Sequence, residues 1–172
     1  MFFGVLRSPF LMLLLCGLNA WPLLAHADAY DDVERQLRNG QLERAEQLGQ
    51  KHLQSHPQDP QMRLLMSRIQ DARGQSALAR DTLQALTQEF PELPEPHNNL
   101  AVLLAREGRL PEALESLQRA LQARPDYTQA LENLGDLHLS LARDAFLRAG
   151  RTPAPSANAA RKADALTPLL AR

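Results

Sequence analysis

A spacing of 34 residues between glycines, alanines and prolines is the strongest constraint on how this chain can fold. Three sets of residues keep this period: Gly40, Gly74 and Gly108; Ala45, Ala79 and Ala113; and Pro57, Pro91 and Pro125. Each glycine separates two segments whose apolar residues recur three and four positions apart, which is the spacing of an amphipathic helix. A glycine can end the first helix by adopting a left-handed conformation, and a proline can end the second. The period therefore predicts an all-α chain built from helix pairs.

These repeated units resemble the tetratricopeptide repeat (TPR) family, whose unit also has 34 residues. The copy at residues 94–127 keeps the small and apolar positions of the family motif but not the aromatic ones, and it supplies His97, Leu100, Ala101, Leu104, Ala113, Leu117 and Pro125. The copy at 60–93 has Arg63 where tryptophan is usual. The copy at 26–59 has Asp32 and Gly49 at apolar positions, so it resembles a worn or capping repeat. The resemblance implies a TPR α-solenoid.

The pattern starts a fourth time after Tyr127 and then fails. Its first half matches the motif at Leu131, Leu134, Gly135 and His138, but Ala142 stands where the turn glycine is expected. We therefore predict one long capping helix over 128–149, which completes a TPR domain at 28–149 after the repeats at 26–59, 60–93 and 94–127. Residues 150–172 form an Ala/Pro-rich tail, in which 157–166 has the composition of a weak polar helix.

Residues 1–27 have the pattern of a cleavable signal peptide. Arg7 precedes an uncharged run from Phe10 to Leu24, and Ala25-His26-Ala27 is a small-x-small cleavage sequence. The run is shorter than the roughly 20 apolar residues that a membrane-spanning helix needs. Cleavage after Ala27 predicts an exported, periplasmic protein.

Two alternatives for the N-terminus stay open. The segment can remain as an uncleaved membrane anchor, or the chain can be a lipoprotein modified at Cys16, although the preceding Leu15 is larger than the usual residue there. Cys16 is the only cysteine, so cleavage would leave a mature chain with no thiol chemistry.

Composition and motifs argue against catalysis and against nucleic-acid binding. The net charge of −1 gives no basic surplus to neutralise phosphates. The chain has no glycine-rich phosphate loop, no G-x-S-x-G motif and no pair of cysteines. We therefore predict no enzymatic activity and no cofactor. Catalysis would gain support only if an activity were lost on changing His52, His97 or His138.

His52 and His56 stand four residues apart on one predicted helix, a spacing that can bind zinc. No third ligand is evident in the sequence. Both residues lie near a helix C-terminus, where a partly protonated histidine suits the helix dipole. We therefore predict no metal site.

The TPR resemblance implies that the first helix of each unit lines a concave groove that binds a peptide or helix of another protein. The predicted partner-binding residues are Leu64, Leu65, Arg68, Asn98, Asn99, Val102, Arg106, Glu132, Asn133 and Asp136. Asn99 and Asn133 are 34 residues apart and hence equivalent, and two carboxamides in register can hold a peptide backbone. Asparagine is also a common filler of this position in the family. Glu132 and Asp136 favour a ligand with a basic end.

These features predict a monomeric, non-catalytic protein–protein interaction adaptor of the bacterial cell envelope. An alternative is an accessory or regulatory subunit that modulates an enzyme of wall or outer-membrane assembly. Homo-oligomerisation through the open edges of the repeats is a third possibility. We expect contact with a membrane only if the signal peptide stays uncleaved.

Overall fold

The structure is a computed structural model that describes the backbone of residues 21–152 and 156–170, and the side chains of 29–152, 156 and 158–170. The described residues contain helices and no β-strand. The helices are α1 (Trp21–Arg38), α2 (Leu42–Ser55), α3 (Pro60–Ala72), α4 (Ser76–Glu89), α5 (Pro94–Arg106), α6 (Leu110–Ala123), α7 (Thr128–Gly150) and α8 (Ala157–Leu166), followed by a short 3₁₀ helix at Thr167–Leu169. The predicted all-α architecture of helix pairs is confirmed.

The periodic glycines make the turns inside the helix pairs. Gly40, Gly74 and Gly108 have φ angles of 71°, 77° and 76°, which is the left-handed region. In the first turn the N–H of Gly40 donates to the carbonyl of Leu37 at 3.0 Å, and the N–H of the next residue donates to the carbonyl of Gln36 at 2.9 Å. The same pair of bonds recurs at the other two glycines. These bonds satisfy the last carbonyls of each first helix.

Two helix boundaries bear on the predictions. α7 extends from Thr128 to Gly150, so the predicted long helix after the third repeat is confirmed. α1 is described from Trp21 onward, so it includes the last residues of the predicted signal peptide. The leucines and alanines between Trp21 and Ala27 favour helix. Residues 1–20 of the predicted signal peptide lie outside the described residues, and cleavage after Ala27 stays a prediction.

The chain divides into two compact units, and the division falls inside α3 after Ile69. The first unit has a core of Val33 from α1, Ala45 from α2, and Met62, Leu65, Met66 and Ile69 from α3. The TPR domain boundaries predicted above stay predictions.

Gly49 of α2 is buried because two methionines occupy the space beside it. A Cβ atom built at Gly49 would lie 2.5 Å from the Met66 sulfur and 3.5 Å from the Met62 sulfur. Counting by 34, the residue equivalent to Gly49 is Leu83 and the one equivalent to Met66 is Leu100, and both leucines are buried. Gly49 of the first repeat and Met66 of the second thus stand where the next repeats have two leucines. The absence of an apolar side chain at Gly49 is therefore compensated by the longer methionine.

This exchange predicts strong coupling between positions 49 and 66. Gly49→Leu alone should destabilise the protein by about 2 kcal/mol, because the new side chain would overlap Met66 in a packed core. Adding Met66→Leu should recover part of that loss, since it restores the pair found in the later repeats. A double-mutant cycle on urea unfolding measures the coupling. Additive effects of the two substitutions would contradict the compensation.

The second unit contains α4 to α8 and a larger core. Its buried apolar side chains are Ala79, Leu83, Leu86, Leu100, Ala101, Leu103, Leu104, Ala113, Leu117, Ala120, Ala130, Leu137, Ala159 and Ala163. α5 packs against α4, α6 and α7, and α7 also packs against α6 and α8. No described helix combines the length and the apolar character needed to cross a membrane.

The C-terminal segment is an ordered part of the second unit. α8 covers the residues that the sequence predicts as a weak helix, and its Ala159 and Ala163 are buried. The Lys162 ammonium lies 5.2 Å from the centre of the Phe146 ring on α7. Arg143 of α7 donates a hydrogen bond from Nε to Thr167 Oγ1 at 3.3 Å. α8 therefore packs on the C-terminal half of α7.

Candidate partner-binding surface

Three asparagines connect α5 to α7 in the second unit. Asn133 of α7 donates a hydrogen bond from Nδ2 to Asn98 Oδ1 at 2.8 Å. Asn98 in turn donates from Nδ2 to Asn99 Oδ1 at 3.3 Å. The side chain of Asn98 is 0% exposed, whereas Asn99 and Asn133 are partly exposed. We call this chain of carboxamides the asparagine relay.

One exposed apolar residue and two exposed acidic residues flank the relay. On α5, the apolar side chain of Val102 is 39% exposed. On α7, Glu132 and Asp136 are exposed and one helical turn apart, so they share one side of the helix. In the described part of the chain neither carboxylate pairs with a cation. We call Asn99, Val102, Glu132, Asn133 and Asp136 the α5–α7 surface.

The acidic and basic side chains at the two ends of α5 are neutralised by ion pairs. Arg106, predicted to contact a partner, donates from Nη2 to Asp71 Oδ1 at 2.6 Å. Glu95 pairs with Arg124, with 2.9 Å between Oε1 and Nη2. The net charge of the α5–α7 surface therefore comes from the two carboxylates of α7, and it is negative.

Two predicted partner-binding residues are buried instead of exposed. Asn98 lies inside the relay, so it is placed to act on a partner only through Asn99 and Asn133. Leu65 is 4% exposed and belongs to the core of the first unit. Asn98 is buried because Asn99 and Asn133 bond to its two polar groups, and Leu65 is buried because it packs among the apolar side chains of that core.

The other predicted residues of α3 are accessible within the first unit. Leu64 is half-buried and Arg68 is exposed. Arg68 Nη1 donates to Glu34 Oε1 of α1 at 3.4 Å, which joins the first helices of two successive repeats. An exposed pair at this distance contributes little to stability, so Arg68 can exchange partners at low cost.

The histidine pair considered for zinc belongs to a cluster around Asp59. Tyr30 donates from its hydroxyl to Asp59 Oδ2 at 2.6 Å, and His52 Nε2 lies 2.6 Å from the same oxygen. Asp59 Oδ1 accepts the backbone N–H groups of Gln61 and Met62 at 3.0 and 3.2 Å, which caps the N-terminus of α3. In the described residues no group of three or more His, Cys, Asp and Glu could hold a metal ion. The cluster ties α1, α2 and α3 together.

The pKa values in this cluster shift in opposite directions. Burial, reinforced by the hydrogen bond to Asp59, raises the pKa of Tyr30 from 10.0 to about 12. Burial alone would raise the pKa of Asp59, but the hydrogen bonds from Tyr30, from the Met62 N–H and from His52 outweigh it and hold the pKa below 3.8.

We expect stability to be lost at both pH extremes through this cluster. A raised tyrosine pKa contributes stability that is present below pH 10 and is lost as pH rises toward 12, because the unfolded state releases the proton first. A lowered carboxyl pKa contributes stability that is present above about pH 3.8 and is lost on acidification. Tyr127 is the only other tyrosine, so tyrosinate absorbance of Tyr127→Phe reports on Tyr30 alone. Titration near pH 10 while that variant is folded would contradict the assignment.

The remaining histidines do not form a shared site in the described structure. His97 is buried, and its Nε2 lies 3.2 Å from the carbonyl oxygen of Pro91, so the ring donates to that carbonyl. Burial lowers the pKa of His97 below 6.5. An open cleft of about 480 Å³ lies beside it, lined by Thr87, Pro91, Glu92, His97, Arg119, Gln122 and Ala123. His138 is exposed on α7.

Sequence reasoning missed Asp59 and the buried state of Asn98. Asp59 directly precedes Pro60, and an acidic residue followed by proline is a recognisable helix start, so that signal was present. Nothing in the sequence distinguishes Asn98 from the adjacent Asn99, because burial depends on the packing of α7.

Comparisons with known proteins agree with this architecture. Residues 64–128 match the family model described as tetratricopeptide repeat. No curated protein matches the chain by sequence. Solved structures of similar fold include the first TPR domain of human RPAP3, with 15% identity and a TM-score of 0.61 over 66% of this chain and 90% of that one.

Two further structures extend the likeness. The Yersinia enterocolitica type III secretion chaperone SycD, in complex with a peptide of the translocator YopD, shares 20% identity and a TM-score of 0.59 over 68% of this chain and 95% of that one. MamA protein shares 19% identity and a TM-score of 0.56 over 83% of this chain and 73% of that one. At such identities the likeness concerns the fold. The 34-residue period, the glycine turns and the matching family model together show that residues 64–128 of this chain are tetratricopeptide repeats.

Proposed function

We propose that the chain is a non-catalytic adaptor that binds an extended peptide segment of another protein on the α5–α7 surface. The observation that carries this proposal is the asparagine relay, which leaves two carboxamides partly exposed beside an exposed apolar side chain and two carboxylates. A carboxamide can pair with both the N–H and the C=O of a peptide backbone. The SycD chaperone, whose fold is similar, was solved with a peptide of its partner.

The charges of the surface indicate the chemistry of the segment. Glu132 and Asp136 present two negative charges without a cation among the described residues. A lysine or arginine in the bound segment would complement them, and the complementarity would also favour encounter with a basic partner. Val102 offers contact area for an apolar side chain of the same segment. We therefore expect an extended partner sequence with apolar residues and at least one basic residue.

In-cell photo-crosslinking tests the location of the site. A photoreactive residue at Asn99 should give a discrete adduct with one partner, whereas the same residue at Gln118, which is exposed on α6, should not. The mass of the adduct identifies the partner. Adducts from neither position, or from Gln118 alone, would rule out the α5–α7 surface.

The cellular setting of this adaptor is the bacterial cell envelope, in our proposal the periplasm of a Gram-negative bacterium. Support for this comes from the signal-peptide pattern in residues 1–27. Mass spectrometry of the protein recovered from a periplasmic fraction should give an N-terminus at Asp28. An intact Met1 or a lipid on Cys16 would contradict cleavage and indicate an anchor or a lipoprotein.

The partner's activity separates an adaptor from a regulatory subunit. An adaptor should bind the crosslinked partner without changing its turnover, whereas a regulator of an envelope enzyme should change it. Light scattering at micromolar concentration should report a monomer in the absence of the partner, and a larger species would favour self-association through the repeat edges.

A further inference from the structure

The buried Asn98 stands between the two partly exposed asparagines of the α5–α7 surface and contacts each through a different atom. Its Oδ1 accepts from Asn133 at 2.8 Å, and its Nδ2 donates to Asn99 at 3.3 Å. The side chain of Asn98 therefore accepts a hydrogen bond from one neighbour and donates a hydrogen bond to the other. The two neighbours are bonded through opposite groups, one through its nitrogen and one through its oxygen. Asn133 uses one of its two Nδ2 protons on Asn98, which turns that nitrogen inward and leaves Oδ1 without a bond in the relay. Asn99 has directed its oxygen toward Asn98 and keeps Nδ2 protons for the surface.

We propose that Asn98 is a positioning residue that sets the direction in which an extended peptide binds. With Asn98 in place, the surface presents a hydrogen-bond donor at Asn99 on α5 and an acceptor at Asn133 on α7. A peptide strand would therefore place a carbonyl oxygen opposite Asn99 and an N–H opposite Asn133. This inference rests on the proposed function, because it concerns the direction in which a peptide binds to the same surface.

The repeat does not require an asparagine at this position. Counting back by 34 residues, the equivalent of Asn98 is Leu64, which shows that an apolar side chain is compatible with the repeat. A carboxamide buried without partners is destabilising, so its burial is tolerated here because both of its polar atoms are bonded. Asn98 therefore adds a polar constraint that helix packing alone would not need.

Solvent exchange of side-chain amide protons on the unmodified protein tests the polarity of the relay. In ¹⁵N NMR spectra, the Nδ2 protons of the buried Asn98 and the one Nδ2 proton that Asn133 donates to Asn98 should exchange slowly. The Nδ2 protons of Asn99 should exchange fast. Slow exchange at Asn99 with fast exchange at Asn133, or equal exchange at both, would overturn the assigned polarity. This measurement needs neither a variant nor a ligand.

Binding direction is tested with short peptides selected on the purified protein from a random display library. Each selected peptide is compared with the peptide of reversed sequence order, on the unmodified protein and on Asn98→Leu. The unmodified protein should prefer one order by about tenfold, which is the effect of one well-placed hydrogen bond. Asn98→Leu should still bind but lose most of that preference, since Asn99 and Asn133 are then free to rotate.

A matched control separates positioning from general support of the fold. Ser116→Ala removes a buried hydroxyl on α6, whose Oγ bonds to the Glu112 carbonyl, and it should leave the preference unchanged. An unchanged preference in a folded Asn98→Leu would overturn the positioning role while leaving the proposed function intact. Failure to select any peptide whose binding depends on Asn99 would instead count against the proposed function. If Asn98→Leu does not fold, the amide-exchange measurement alone decides the inference.

Discussion

Asp59→Ala is expected to lower the free energy of unfolding by about 3 kcal/mol. The substitution removes the cap of α3, which is typically worth about 1 kcal/mol, and it also removes the acceptor of two side chains. Tyr30 and His52 both contact Asp59 Oδ2 at 2.6 Å, and bonds to a charged acceptor contribute about 1.5–3 kcal/mol each. Partial hydration of the two freed groups keeps the expected loss at about 3 kcal/mol, below the roughly 4 kcal/mol at the lower end of that sum.

Urea unfolding followed by circular dichroism measures this loss. Asp126→Ala is the matched control, because Asp126 is exposed in the turn before α7 and that change should stay within about 0.5 kcal/mol of the unmodified protein. Asp59→Asn should fall between the two, since an asparagine can still cap the helix but carries no charge. Equal losses for Asp59→Ala and Asp126→Ala would mean that the cluster does not hold the first repeat together.

The second large effect is expected on partner binding. Combined substitution of Glu132→Lys and Asp136→Lys should weaken binding of the partner by roughly a hundredfold, because like charges brought together in an interface cost several kcal/mol. Both side chains are exposed, so the fold should be unaffected. In cells, the adduct formed from a photoreactive residue at Asn99 should disappear.

A charge-matched variant distinguishes a local site from general electrostatic attraction. Glu115→Lys with Asp144→Lys makes the same change in net charge at two other exposed carboxylates, one on α6 and one on the C-terminal half of α7. This variant should keep the adduct. Equal loss from both double variants would indicate non-specific attraction, and retention of the adduct by both would place the site elsewhere.

The helix pairs and their turns could be predicted from the sequence because single residues encode them. The left-handed conformation of Gly40, Gly74 and Gly108 is one that other residues rarely adopt, so each glycine marks its turn wherever the chain packs. The apolar spacing likewise places Ala79, Leu83 and Leu86 on one face of α4, and all three are buried. Local chemistry was sufficient for these features.

The candidate site was only partly predictable, since it depends on which residues meet across helices. The sequence identified Asn99, Glu132 and Asn133 as surface residues of successive first helices, and the structure leaves all three accessible to some degree. It did not show that Asn98 would be buried between two of them. An asparagine can bond to solvent or to another side chain equally well, and residue type alone does not select between these outcomes.

By itself, the sequence determined the all-α architecture, the 34-residue period, the turns and the long helix α7. Only the tertiary structure decided how Met66 compensates for Gly49, that Asp59 joins three helices, and that α8 packs on α7. The physical reason is the range of the interactions. Backbone preferences and apolar periodicity act over a few neighbouring residues, whereas a side-chain hydrogen bond or a filled cavity depends on groups that folding brings together from distant parts of the chain.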